Sequence, residues 1–224
     1  MNKIKYIAAA LVAVAGLGLQ QAKADSFSFN LTASNIGFTP PFISVTVNRT
    51  STTSATITFN SLTSGGFTYL MIDGGSAAVN VNASSWTIGS FSSTTPATGG
   101  FVPQPAGFPQ DGGAGNEDGF GSFNQTVNSF DGTDHAMSQI SFTLTNLSGT
   151  WATASAVLTG NAQGFLAAAH IVVFTAGNVV NGQQITTGFA TGNNTLSVPD
   201  GGATVMLLGV AFGALGMARR FLKI

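Results

Sequence analysis

The chain has 224 residues and a formal charge of −1, but its charges are segregated. Six of its seven cations (Lys3, Lys5, Lys23, Arg219, Arg220 and Lys223) lie near the two ends, while the eight carboxylates run from Asp25 to Asp200, so the body holds Arg49 alone against them, a net of about −7. A body of that sign excludes nucleic acid and anionic lipid as partners, and the absence of cysteine excludes disulfides, thiolate metal sites, a cysteine nucleophile and a lipoprotein anchor.

The first 24 residues read as a secretory leader. Lys3 and Lys5 precede an apolar run over 7–19, and Ala22 and Ala24 form an A-x-A site that places cleavage before Asp25. A spanning helix needs about 20 apolar residues. The run is shorter than that, which argues against an uncleaved anchor. The expected partners of this segment are the general secretory machinery and signal peptidase.

From Asp25 onward the pattern is that of strands. Phe27, Phe29 and Leu31 alternate with Ser and Asn, and Ile43-Val45-Val47, Ala55-Ile57-Phe59 and Ile140-Phe142-Leu144 repeat the period of two. Thr, Ser and Asn fill the opposite positions, and Gly-containing turns such as Asp73-Gly74-Gly75 and Asp131-Gly132 separate the runs. Residues 67–72 and 166–174 are almost continuously apolar, as central strands covered on both faces would be, although a short buried helix over 165–169 fits the alanines too. Many short strands and no helical period predict an antiparallel sandwich or jelly roll. Over 92–119 the pattern fails: Pro103, Pro105 and Pro109 lead into a Gly-rich stretch, which predicts a long loop within one sandwich. Two lobes of about 70 residues without disulfides would be marginal.

The concentrated charge of the body is Asp111, Glu117, Asp118, Asp131 and Asp134. Several carboxylates among flexible Gly-rich turns are what calcium prefers, so Ca2+ is the candidate ligand there, against a solvated turn-forming loop. The spacing does not follow the twelve-residue helical calcium loop. His135 follows Asp134, and His170 lies in an apolar run; either could serve a hydrolase only with a second group aimed at its imidazole. No Gly-x-Ser-x-Gly elbow occurs, and the body has no lysine for Schiff-base chemistry. Trp86, Trp151 and Tyr69 could stack on sugars or fill the core. Asn48, Asn82, Asn124, Asn146 and Asn193 each begin a glycosylation sequon, in a chain where Asn, Ser and Thr are common enough to produce such matches by chance.

The tail has three parts: Val198-Pro199-Asp200-Gly201-Gly202, an uncharged run over 203–218, and the basic end Arg219, Arg220 and Lys223. As a helix the run would rise about 24 Å, close to the roughly 30 Å hydrocarbon core if flanking apolar residues contribute and the arginines snorkel. The basic end belongs on the cytoplasmic side, which agrees with a leader that exports the body. Gly209 and Gly213 match a helix-pairing spacing, and the same small-residue face would let a membrane enzyme approach.

These three parts resemble the PEP-CTERM sorting signal in its VPDGG/VPDSG-type variant. The resemblance implies export by the general secretory route and recognition of the tail by an exosortase, an integral-membrane transpeptidase-like protease. It also implies a Gram-negative source that makes exopolysaccharide. Asp200-Gly201-Gly202 stands where the main motif has Glu-Pro, so the cut site need not be shared. Residues 118–123, 164–171 and 187–189 are similar to segments of the β-rich ectodomains that accompany such tails.

The expected protein is therefore all-β, with a leader helix over 1–24, a sandwich ectodomain over 25–197 and a sorting tail with a transmembrane helix over 198–224. Its expected role is a structural or adhesive component of the cell surface or exopolysaccharide matrix, without enzymatic activity. The alternative is a calcium- or glycan-binding module that uses the loops over 111–134. The body would pass through the periplasm, anchored for a time in the inner membrane, and end at the outer surface.

Overall fold

The computed structural model describes residues 25–193; the leader and the tail, with the membrane helix expected there, lie outside the described residues. Among the described residues no helix is long and apolar enough to cross a membrane.

The regular structure is strands, paired antiparallel throughout, and two short 3-10 turns. One sheet runs in the order β1 (Asp25–Leu31), β3 (Ile43–Arg49), β4 (Ser54–Ser61), β11 (Gln139–Asn146) and β8 (Trp86–Thr94). The second follows β2 (Ala33–Ser34), β13 (Thr186–Asn193), β12 (Phe165–Thr175), β7 (Ala77–Val79), β10 (Gly121–Asn128) and β9 (Gln110–Glu117). β6 (Phe67–Met71) also pairs with β12, and β5 (Thr63–Ser64) extends β6.

The period of two converts directly into layers. Val45, Val47, Ile57, Phe59, Ile140 and Phe142 of the first sheet are buried in one cluster with Val79, Val127, Ala169, Ile171 and Val173 of the second. Burial of such side chains contributes about 1.5–3 kcal/mol each before chain entropy opposes it. β12 has apolar residues on both faces. Val172 and Phe174 alternate with Ile171 and Val173 and pack outward with Leu70, Ile72 and Ala136, under Phe101 and Val179. That two-sided burial explains its continuous apolar sequence. Residues 165–169 belong to this strand and are extended rather than helical.

Residues 92–119 are not one long loop. β8 continues to Thr94, and the Gly-rich half forms β9, paired with β10. The strand carries no hydrophobic alternation because glycine provides its contacts. A Cβ on Gly115 would come within 2.7 Å of Thr126 Cγ2, and one on Gly112 would strike the Thr126 hydroxyl and lie 2.7 Å from Asn128 Oδ1. Close backbone approach replaces side-chain packing there.

Arg49, the only Lys or Arg among the described residues, closes the start of the chain against the body. Its Nε donates to Asp25 Oδ1 at 2.7 Å, and its Nη1 donates to the carbonyl of Trp151 at 3.5 Å. The other Asp25 oxygen accepts the Ala154 N–H at 2.9 Å. The residue expected to become the mature N-terminus is thus pinned at the base of the sandwich.

Candidate functional site

The five carboxylates proposed for calcium do not converge. Asp111 and Glu117 lie near opposite ends of β9, and six residues of extended chain separate them by about 20 Å. Asp111 Oδ1 is already occupied, accepting from Gly113 N and from Gln125 Nε2, each at 2.8 Å. Asp118 and Asp131 are exposed on separate turns, and Asp134 approaches only His135, at 3.9 Å. Among the described residues no group of three or more His, Asp or Glu side chains is placed to hold a metal ion.

Glu117 has a different character from its neighbours. Its side chain turns inward and is 2 % exposed. It lies flat on Gly75, where an added Cβ would fall 2.6 Å from Oε2. Gly75 has φ +68, a conformation that favours glycine, so this turn is shaped for the carboxyl on two counts. Among the described residues Oε2 has no hydrogen-bond partner. Burial pushes the Glu117 carboxyl up to about 8, which favours the neutral acid at ordinary pH.

The same turn touches His170. The His170 N–H donates to Gly75 O at 2.8 Å, and the imidazole stacks on Phe189 at 4.5 Å. Burial holds the His170 imidazole below its usual value, with Asp73 and a hydrogen bond to the Gly74 backbone carbonyl opposing the shift. His170 therefore serves as a stacking residue between β12 and β13. His135 closes the 3-10 turn Thr133–His135, and its Nδ1 lies 3.1 Å from Pro103 O.

The tryptophans and Tyr69 are structural. Trp151 is 2 % exposed and donates its Nε1–H to Asn82 O, and Tyr69 is buried with its hydroxyl on Thr39 O. Trp86 is half-buried and donates to Gln125 Oε1 across the sandwich. Of the sequon asparagines, Asn82, Asn124 and Asn146 are engaged in fold hydrogen bonds, whereas Asn48 is exposed on the outer face of the first sheet.

That outer face is the most distinctive surface of the body. Ser28, Thr46, Thr58, Ser141 and Ser92 stand in register across all five strands. Asn30, Ser44, Asn60, Gln139 and Thr94 form the next row. Neighbours within a row are about 4.8 Å apart, and rows are about 7 Å apart. Some members bond each other: Ser28 with Thr46 and Thr58 with Ser141 at 3.0 Å, and Gln139 Nε2 to Asn60 Oδ1 at 2.8 Å. Neither row contains a charge, although the body as a whole is strongly anionic. The alternation was visible in the sequence, but which hydroxyls share a row depends on register.

No curated protein and no solved structure matches the chain. The VPDSG-CTERM motif matches residues 197–221, the stretch that contains Val198-Pro199-Asp200-Gly201-Gly202 and both arginines. A β-rich body followed by this motif is an exported, C-terminally sorted protein, and its tail is a sorting domain of the PEP-CTERM type.

Proposed function

We propose that the protein is a structural or adhesive component of the cell surface or exopolysaccharide layer, delivered there after an exosortase-like membrane protease acts on its tail. The uncharged hydroxyl and carboxamide rows of the first sheet carry this reading. A flat array of neutral donors and acceptors suits a neutral hydrated polymer, where many weak contacts sum to firm retention. It suits neither a charged ligand nor a catalytic centre, which would need preorganised charge. The net negative body would repel anionic polymers, and these rows add no charge to that field.

Charge placed on the face tests the idea. Thr46→Glu combined with Thr143→Glu puts two carboxylates on the outward side of β3 and β11, where surface changes leave folding within about 0.5 kcal/mol. The doubly substituted protein should keep its melting temperature and be released into the medium, while the unmodified protein stays with the washed matrix. Equal retention of the two proteins would remove the sheet face from the explanation.

A further inference from the structure

Phe130 is 42 % exposed, and it belongs to none of the buried apolar clusters. A large aromatic ring left in solvent usually costs nothing special, but this one is held in place by a dense local scaffold. Its N–H donates to Gln104 Oε1 at 2.8 Å, and Gln104 Nε2 donates to His135 O at 2.6 Å. Val102 N–H donates to Asp134 O at 2.8 Å, and Gly132 N–H donates to Asp73 Oδ1 at 2.8 Å. The first three bonds stitch the Pro-rich loop to the turn after β10, and the last ties that turn to the one between β6 and β7. Phe130 is also braced edge to face by two rings, Phe108 at 5.3 Å and His135 at 4.9 Å. The ring is therefore preorganised rather than merely uncovered, which removes much of the ordering cost a ligand would otherwise meet.

We infer that Phe130, framed by Phe108 and His135, is a stacking platform for one pyranose ring of a neutral glycan. A sugar ring has an apolar C–H face and a rim of hydroxyls, so it needs an aromatic surface beside hydrogen-bond acceptors. Asp131 lies next to Phe130 on the exposed turn, and Asp134, 46 % exposed at its side chain, stands beside His135. Their carboxylates accept hydroxyl protons and repel uronate, sulfate or phosphate groups, so the glycan is neutral. The exposed apolar surface here, Phe130 with Val102 at 41 %, is small against the roughly 800 Å² per partner of a stable protein interface, which favours a sugar over a protein. The inference deepens the surface-layer reading by naming a ligand class, but it concerns a different surface from the hydroxyl rows.

Calorimetric titration of the full-length protein in detergent would use neutral gluco-, manno- and galacto-oligosaccharides of six sugars, with an oligogalacturonate as the charged counterpart. At least one neutral series should bind, and the galacturonate should bind about tenfold more weakly or not at all. Phe130→Ala should weaken the neutral ligand about tenfold at an unchanged melting temperature, and Phe130→Trp should preserve binding. Asp134→Asn should narrow the gap between neutral and charged ligands. Absence of binding to every neutral series, or undiminished binding by a folded Phe130→Ala protein, would overturn the inference. Because the readout is soluble oligosaccharide, a protein that binds it yet is not retained by the matrix would refute the surface-layer role and leave this site standing.

Discussion

Raising the pH from 5 to 8.5 should destabilise the sandwich by on the order of 4 kcal/mol through Glu117 alone. The Glu117 carboxyl, ordinarily near 4.5, is pushed up to about 8 by burial. Between those values the folded state holds a proton that the unfolded chain has released, so stability falls as pH rises. The contribution is complete below about 4.5 and lost above about 8. The neutral acid lies against Gly75 with Oε2 unpartnered, and the ionised form would place a bare charge there. Glu117→Gln keeps the shape and removes the titration. Its stability should lack that fall and keep only the rise that His170, lowered by burial, gives both proteins on leaving acid pH, staying within about 1 kcal/mol of the parent at pH 5 and clearly above it at pH 8.5. Chemical denaturation at the two pH values measures both slopes. Parallel profiles for the two proteins would show that the carboxyl is solvated or partnered.

Arg49→Met should lower the melting temperature by roughly 5–10 °C, corresponding to about 2–3 kcal/mol for a domain of this size. The arginine side chain is 9 % exposed and ties Asp25 Oδ1 to the Ser51 and Trp151 carbonyls, so its loss leaves three acceptors short of a donor. Asp25 is 38 % exposed, which lets water recover part of the loss and keeps the effect below that of a fully buried pair. Asp25→Asn should cost less, because it can still accept from Ala154 N–H. Thermal melts of the two variants separate the contributions, and an Arg49→Met protein that melts with the parent would mean that the clasp adds nothing.

Four strands of the first sheet, β1, β3, β4 and β11, were legible because each buries one face, so Val45, Ile57 and Phe142 announce themselves every second residue, whereas the edge strand β8, with Gly89 and Ser90 interrupting its alternation, was not. β12 was legible for the opposite reason, being apolar on both sides. β9 was not, since Gly112 and Gly115 make their contacts by lacking a side chain, and a pattern of side chains cannot register that. The acidic residues misled because nearness in sequence means separation along an extended strand: Asp111 and Glu117 are drawn apart, and one of them turns inward. Phe130 was missed among 18 phenylalanines. Its position just before the Asp131-Gly132 turn, outside any alternating run, was the available signal. The hydroxyl rows needed register, which composition does not supply. The sorting motif of the tail was legible because it is linear, and residues 197–221 match it.

Intact-mass and terminal-peptide mass spectrometry of protein recovered from the outer surface tests the sorting claim most directly. The expected molecule begins at Asp25 and has lost the hydrophobic run with Arg219, Arg220 and Lys223. Surface protein that still ends in Lys223-Ile224 would contradict processing of the tail and leave a plain C-terminal anchor in its place.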